Sequence, residues 1–450
     1  MMADIITTIN PETEEVLERY PVLKDSEIEE KINTTYEAQK IGRNFSIGEK
    51  KKILQKIAQE LNANKNDLAL LAQKEMGKPI EQGISEVEKC TTTANYYATN
   101  MEQFLSPEFI TTEAKKSYVC FEPLGTVLAV MPWNFPFWQS FRCALPAISA
   151  GNAVLLKHAS NVTGCALACE KILQASLPEK NLFQALVIPS TKVNFVIAHP
   201  KTHAISFTGS TEVGKKIASQ AGEHLKKSVL ELGGSDAYVV LKDADIEEAA
   251  KFCAISRLIN SGQSCIAAKR FIVEKEIYDQ FVSLLIENMK NISLGPLARA
   301  DLRNDLHQQV EKSIKQGAKL LLGGMIPENK KGYFYPATVL GEVQPNMPAF
   351  QEELFGPVAA VIKAISEENA IELANQSSFG LGAAVFTKDL LKGENIARHK
   401  LFAGSCFVNT FVRSDPRLPF GGIKFSGFGR ELSHYGLKEF VNIKTVYVHE

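Results

Sequence analysis

The sequence lacks the features that mark several common protein classes. None of its eight cysteines forms a Cys-x-x-Cys pair and its eight histidines are scattered, so we expect no metal site. The net charge of -1 over 450 residues gives no electrostatic reason to expect nucleic acid or an anionic membrane as a partner. Binding to small molecules is the simpler expectation.

Long apolar runs and targeting segments are also missing. The most apolar stretch, residues 125–138, is short and contains two prolines, so it cannot span a bilayer. Residues 1–10 lack the basic stretch and apolar run of a secretory signal. We therefore expect a soluble, cytoplasmic protein with no membrane partner.

What the chain has is length and a repeated alternation of strands and helices. Its 450 residues, 45% of them hydrophobic, suffice for two or three domains. β-Rich segments such as 125–132, 182–188 and 204–208 alternate with segments of helical periodicity. This alternation predicts α/β architecture with parallel sheets, a class that binds nucleotides at the carboxyl ends of strands. Because the pattern restarts after residue 234, two Rossmann-like lobes with a cleft between them are expected.

The C-terminal segment, residues 440–449, alternates apolar and polar positions in the manner of an edge strand. An unpaired edge promotes association unless another chain or a hairpin covers it. This segment therefore favours a homo-oligomer, either a homodimer or a homotetramer.

Several loops place reactive or ligand-binding residues at strand ends. Cys265 ends the small, polar segment 260–265 (NSGQSC), unlike the other cysteines, most of which have apolar neighbours. Segment 207–214 (FTGSTEVG) is a strand-to-helix turn whose backbone N–H groups suit a pyrophosphate. Segment 231–234 (ELGG) places a carboxylate beside glycines that allow close approach of a ligand. Taken singly, each loop is equally explained as a tight turn or a capped helix.

Together the segments resemble the aldehyde dehydrogenase family in content and in order. The resemblance covers essentially the whole chain and lacks a Gly-x-Gly-x-x-Gly fingerprint, as the family does. Its six motifs are 132–136 (PWNFP), 207–211 (FTGST), 231–234 (ELGG), 260–265 (NSGQSC), 352–357 (EELFGP) and 419–431 (PFGGIKFSGFGRE).

The resemblance implies a cysteine mechanism with three catalytic residues. Cys265 would attack the aldehyde carbon, and Asn134 with the Cys265 backbone N–H would donate to the resulting oxyanion. After hydride transfer to NAD(P), Glu231 would activate water to hydrolyse the thioester.

It also implies the cofactor-binding residues and the domains. The residues are Trp133, Lys157, Ser160, Gly209, Ser210, Glu353 and Phe355. Ser160 stands where many NAD-preferring relatives have glutamate, so we expect NADP to be accepted, with NAD also working. The implied domains are an NAD(P)-binding domain (1–111 and 125–232), a catalytic domain (233–427), and oligomerisation strands with a C-terminal segment (112–124 and 428–450).

The branch most similar to this chain is the bacterial succinate-semialdehyde dehydrogenases. By that resemblance Arg142 and Ser433 would bind the substrate carboxylate, although Arg142 is also explained as an ion-pair residue. The second arginine of that site is replaced by Ile259. Arg413 is a candidate to compensate, with a solvated loop arginine as the simpler interpretation.

Other interpretations remain open at this point. Glutarate semialdehyde or an uncharged aldehyde would use the same chemistry. A cysteine hydrolase would need an imidazole base, and no histidine lies in a motif near Cys265. A non-catalytic binding protein on the same fold would not need Cys265, Asn134 and Glu231. A coenzyme A-acylating enzyme would not need Glu231.

Overall fold

The computed structural model describes residues 5–450, so residues 1–4 of the predicted NAD(P)-binding domain lie outside the described part. The strands are β1 (Ile5–Ile9), β2 (Val16–Pro21), β3 (Glu108–Phe109), β4 (Lys116–Pro123), β5 (Thr126–Met131), β6 (Ala153–His158), β7 (Phe183–Ala185), β8 (Ala204–Thr208), β9 (Lys227–Glu231), β10 (Ala237–Val240), β11 (Arg270–Glu274), β12 (Lys319–Leu322), β13 (Thr338–Gly341), β14 (Val358–Ala364), β15 (Gly382–Phe386), β16 (Ser405–Val408), β17 (Gly427–Phe428) and β18 (Val441–Val448).

The helices of the same part separate these strands. They are α1 (Asp25–Gly42), α2 (Ile47–Ala63), α3 (Lys65–Met76), α4 (Ile80–Leu105), α5 (Pro136–Ala150), α6 (Thr163–Ser176), α7 (Val193–Ala198), α8 (Thr211–Glu223), α9 (Ile246–Leu258), α10 (Tyr278–Lys290), α11 (Ala300–Lys315), α12 (Pro348–Gln351), α13 (Glu367–Asn375), α14 (Leu390–His399) and α15 (Ser433–Lys438). Within residues 5–450, no helix has both the length and the apolar character needed to cross a membrane.

The first lobe is built on a six-stranded sheet in the order β17-β9-β8-β5-β6-β7. All its pairs are parallel except β17 with β9. Every residue of β5 and β6 is buried, as expected for apolar strands covered by helices on both faces. The carboxyl ends of β5, β8 and β9 share one edge of the sheet, and three of the motif loops begin there.

The second lobe is built on a seven-stranded sheet in the order β12-β13-β14-β11-β10-β15-β16. Only the edge strand β12 is antiparallel to its neighbour. The α/β fold with two parallel-sheet lobes, predicted from the sequence, is therefore confirmed.

A separate antiparallel sheet contains the C-terminal strand, in the order β18-β4-β3. β18 pairs with β4 from Val441 opposite Pro123 to Val448 opposite Lys116. No strand of residues 5–450 covers its other edge, where Ile443 is 62% exposed. The expected small β element is present, and its role in assembly stays a prediction.

Two boundaries differ from those expected. The predicted strand 182–188 is formed only at β7, because β7 is the edge strand and the chain leaves the sheet before Pro189. The predicted domain boundary between residues 427 and 428 falls inside β17, where Gly427 pairs with Glu231 of β9. A boundary there would divide a strand of the first sheet. The remaining domain bounds stay a prediction.

Candidate active site at Cys265

Two cavities meet at the Cys265 side chain. The larger cavity, about 260 Å³, has Lys89, Trp138, Arg142, Arg413 and Phe420 in its wall. The smaller cavity, about 220 Å³, is lined by Trp133, Asn134, Gly209, Ser210, Glu353 and Phe355, among others. Cys265 and Gln139 line both. Cys265 is therefore a wall residue that a molecule in either cavity can contact.

The loop before Cys265 has an unusual backbone that its surroundings hold in place. Asn260, Ser261 and Gly262 follow one another in the left-handed region, with φ of 53°, 55° and 77°. A Cβ on Gly262 would lie 2.3 Å from the Gly356 carbonyl, so only glycine fits there. Arg257 Nη2 donates to the Gly262 carbonyl at 2.6 Å. Such strain persists only where neighbouring contacts determine the conformation, as at functional sites.

Asn134 lies against this loop with one amide hydrogen to spare. Its Nδ2 donates to the Gln263 carbonyl at 3.1 Å, and Asn260 Nδ2 donates to the Asn134 carbonyl at 2.7 Å. An amide nitrogen carries two hydrogens, so the second is available to a ligand. The Cys265 backbone N–H also donates to no acceptor within residues 5–450. Both donors that an oxyanion requires are thus present in the loop region.

The Cys265 thiol is partly buried, and two cations act on it. Burial raises its pKa to about 12, while the charges of Arg142 and Lys269 oppose this shift. The fully buried Lys269 ammonium donates to the carbonyls of Ser264, at 3.0 Å, and Cys265. Without a ligand the sulfur is therefore protonated at neutral pH, and it must lose that proton to act as a nucleophile.

Glu231 ends β9 with its side chain buried, and it is not among the residues that line either cavity. Neither oxygen has a hydrogen-bond partner within the described chain. Oε1 lies 2.7 Å from the point where a Cβ on Gly421 would stand. Burial and the charge of Glu431 raise its pKa well above the usual range. A carboxylate with a raised pKa and no fixed partner is suited to proton transfer.

Arg142 lies in the wall of the larger cavity, but its guanidinium already forms an ion pair within the protein. The buried guanidinium forms an ion pair with the buried Glu431 carboxylate and donates to Thr208 Oγ1 at 3.3 Å. Its guanidinium carbon also lies 4.8 Å from the centre of the Phe420 ring. The ion-pair interpretation of Arg142 is therefore the one that the geometry favours over substrate binding.

The two other predicted carboxylate ligands occupy different environments. Ser433 is buried outside both cavities: its N–H donates to the Pro416 carbonyl, and its carbonyl accepts from Tyr97. The structure does not bring Ser433 to the cavity, because the α15 N-terminus packs against α4 instead. Arg413 does line the larger cavity, as an exposed side chain near its mouth.

The smaller cavity has the groups that a dinucleotide needs. Ser210 precedes the thirteen-residue helix α8, whose free N–H groups and dipole favour a phosphate. Glu353 accepts from the Gly234 N–H at 2.9 Å, and the Phe355 ring meets Trp133 edge-on at 5.7 Å. A Cβ on Gly233 would stand 2.6 Å from Glu353 Oε2, so glycine keeps this wall open. These residues fit NAD(P).

Lys157 and Ser160 lie beyond this cavity at the same sheet edge. Lys157 stands near the end of β6 opposite Val130 of β5, and burial lowers its pKa. Ser160 is exposed and begins a short 3₁₀ turn before α6. The Ser160 side chain is therefore accessible to a ligand at this edge of the sheet.

Sequence reasoning missed four side chains near the site: Lys89, Gln139, Lys269 and Glu431. Glu431 lies in the quoted motif 419–431 and Lys269 beside the cysteine loop, so their positions carried a signal. Lys89 resembles an ordinary solvent-facing helix residue, and no signal in the sequence marks it as a residue of the cavity.

The chain belongs to the aldehyde dehydrogenase family, whose model matches residues 2–446. A probable succinate-semialdehyde dehydrogenase [NADP(+)] of Synechocystis is 42% identical over 98% of this chain and 99% of the relative. The succinate semialdehyde dehydrogenase [NAD(P)+] Sad of Escherichia coli is 43% identical over 98% and 97%. The Streptococcus pyogenes succinic semialdehyde dehydrogenase, solved with NADP+, superposes with a TM-score of 0.96 at 35% identity, covering 99% and 100%. The resemblance seen in the sequence is confirmed, and the protein is an aldehyde dehydrogenase.

Proposed function

We propose that this enzyme oxidises succinate semialdehyde to succinate with NADP, or less efficiently NAD, as hydride acceptor. The observation that supports this most is the position of Cys265 between two cavities. An aldehyde and a hydride acceptor must both reach the carbon bonded to the sulfur, and the two cavities give each its own approach. The names of the 42% and 43% identical relatives point to the same aldehyde and cofactors.

In the proposed reaction the Cys265 thiol loses its proton to solvent water, and the resulting thiolate adds to the aldehyde carbon and forms a thiohemiacetal. The spare Asn134 amide hydrogen and the Cys265 N–H stabilise the negative oxygen, and loss of one such donor costs about 100- to 1000-fold in rate. Lys269 supports this arrangement because it binds the carbonyls of Ser264 and Cys265 from behind.

NAD(P)+, when bound, would accept the hydride that leaves the thiohemiacetal carbon, and that carbon would then be the carbonyl carbon of a thioester. The Glu231 carboxylate, which no hydrogen bond fixes, turns toward Cys265 and takes a proton from water. Water adds to the thioester, the sulfur leaves, and the carboxylic acid is released.

The cofactor would lie in the smaller cavity and continue over the edge of the first sheet. Gly209 and Ser210 would meet the pyrophosphate, with Glu353, Phe355 and Trp133 around the nicotinamide end. Lys157 and Ser160 would bind the adenosine ribose. A serine at position 160 can donate to a 2′-phosphate where a glutamate would repel it, which supports NADP.

A panel of aldehydes assayed with both cofactors tests the proposal. Succinate semialdehyde, glutarate semialdehyde and butanal are compared by kcat/KM with NADP and with NAD, following the reduced cofactor. We expect the highest value for succinate semialdehyde with NADP. Equal values for the acidic aldehydes and butanal would limit the assignment to an aldehyde dehydrogenase of broad substrate range.

Matched cysteine variants separate this mechanism from the alternatives. Cys265→Ser should abolish turnover, whereas Cys120→Ser, on β4 and outside both cavities, should not. Formation of free succinate without coenzyme A would exclude an acylating enzyme, and aldehyde-dependent reduction of NADP would exclude a hydrolase.

We also propose a cytoplasmic homodimer or homotetramer. Light scattering tests the oligomeric state through the particle mass.

A further inference from the structure

Lys89, in the wall of the larger cavity, is a largely buried cation without a counter-ion within residues 5–450. The Lys89 ammonium, on α4, lines the same cavity as Cys265. It contacts Ser414 Oγ and lies 4.3 Å from the centre of the Trp138 ring. Within residues 5–450 it forms no ion pair, although all three of its N–H groups are donors.

The other charges of this wall are satisfied or solvated. Arg142 is paired with Glu431, and Arg413 is exposed. Glu86 is paired with Lys78 and also accepts the N–H groups of Phe137 and Trp138, both at 2.8 Å. The cavity therefore presents one largely desolvated positive charge that lacks an anion.

We propose that Lys89 binds the distal carboxylate of the substrate, and that it rather than Arg142 makes the enzyme selective for acidic aldehydes. This inference rests on the proposed function, because it requires a substrate with a carboxylate at the end opposite the aldehyde. Ser414 and Trp138 orient the ammonium, while the apolar wall accommodates the carbon chain between the two ends.

The surroundings of Lys89 support such a role. Burial and the nearby Arg142 lower the pKa of Lys89 to about 8, while Glu86 and Asp415 act in the opposite direction. Asp415 is itself held by Arg417, so it does not neutralise the lysine. A buried cation in this state gains more from a bound carboxylate than a solvated one does.

The test compares succinate semialdehyde with butanal, which has the same number of carbons and no charge. In Lys89→Met we expect the ratio of their kcat/KM values to fall about 10- to 100-fold, mostly through KM for the acidic aldehyde. Lys89→Arg should keep part of the preference. Lys56→Met removes an exposed lysine of α2 and should leave the ratio unchanged, and butanal turnover reports whether each variant is folded.

A binding measurement gives a second readout. The only two tryptophans, Trp133 and Trp138, line the two cavities, so intrinsic fluorescence of Cys265→Ser can report binding of the product succinate. Adding Lys89→Met should weaken succinate binding by a similar factor.

The outcomes distinguish the two proposals. If the wild-type enzyme shows no preference for succinate semialdehyde over butanal, the proposed substrate is wrong. If the preference exists and survives in Lys89→Met, or is lost only in Arg413→Met or Arg142→Met, the role of Lys89 is refuted.

Discussion

Replacing Arg142 by methionine separates the two roles considered for this residue. Methionine keeps most of the length of the side chain and removes the charge. If Arg142 serves mainly as the partner of Glu431, the variant leaves a buried carboxylate without its cation, close to the unpartnered Glu231. The variant should then lose stability, and it should lose activity toward acidic and neutral aldehydes alike.

The expected loss follows from the burial of the pair. Both side chains are almost inaccessible to solvent, and breaking a buried ion pair by removing one partner costs about 3–5 kcal/mol. A lobe of some 150–250 residues changes its melting temperature by about 2–4 °C per kcal/mol, so a decrease of roughly 6–20 °C is expected. Burial already raises the pKa of Glu431, so in the variant this carboxylate can take up a proton and lose its charge. The decrease in melting temperature should therefore lie toward the lower end of this range.

Thermal midpoints of four proteins, measured at one scan rate and concentration, form the assay. They are the wild type, Arg142→Met, Glu431→Gln and the double variant. Because the double variant has neither charge, it should recover much of the loss, and this coupling identifies the pair. Arg413→Met, which removes an exposed arginine from the same cavity, is the matched control and should change the midpoint little.

The opposite pattern would refute the reasoning. An Arg142→Met protein with a nearly wild-type midpoint and a loss confined to succinate semialdehyde would make Arg142 the substrate arginine, as the sequence resemblance implied. If the decrease in thermal midpoint of the double variant equalled the sum of the two single decreases, the two charges would not stabilise one another in solution.

Four further predictions concern the chemistry and the cofactor. Glu231→Gln should release reduced cofactor in a single burst equal to the active sites and then turn over slowly; steady turnover at the wild-type rate would remove Glu231 as the base. Since burial and the charge of Glu431 raise the pKa of Glu231 well above the usual carboxyl range, the wild-type steady-state rate should still increase with pH well above about pH 4.3, where a free glutamate is already ionised; a flat profile there would contradict this. Ser160→Glu should raise KM for NADP about 10- to 100-fold and affect NAD much less, because a carboxylate repels a 2′-phosphate; equal changes would argue against ribose contact. Burial raises the pKa of the Cys265 thiol to about 12, so in the enzyme without cofactor its alkylation by iodoacetamide should still accelerate above about pH 8.5, the pKa of a free cysteine. A plateau in the alkylation rate near neutral pH would show that the thiolate forms in the absence of cofactor.

Features that depend on local sequence could be predicted. The continuous apolar runs of β5 and β8 and the glycines that follow β8 and β9 indicated the parallel sheet and the loops at its edge. Cys265 and Asn134 were predicted near one another because the family resemblance assigns donors from both residues to the same oxyanion. In the structure Asn134 contacts the loop of Cys265 through the Gln263 carbonyl.

Features that depend on partners distant in the chain could not be predicted. Nothing near Arg142 in the sequence shows that Glu431 neutralises it, so its resemblance to a substrate ligand was the better available interpretation. Ser433 matches the position of a substrate-binding serine in the succinate-semialdehyde dehydrogenases. Whether its side chain reaches the cavity, however, depends on how α15 packs. Lys89 has an ordinary helical context, and its value as a cation depends on Trp138 and Ser414, which belong to other segments.

The placement of one sulfur between two cavities has a consequence for the order of events in turnover. With the aldehyde in the larger cavity and the dinucleotide in the smaller one, as proposed above, neither molecule would occupy the space of the other. The acid product would then be able to leave the larger cavity while the reduced cofactor is still bound. Succinate should therefore inhibit competitively against the aldehyde and not against NADP, and reduced cofactor should show the reverse pattern.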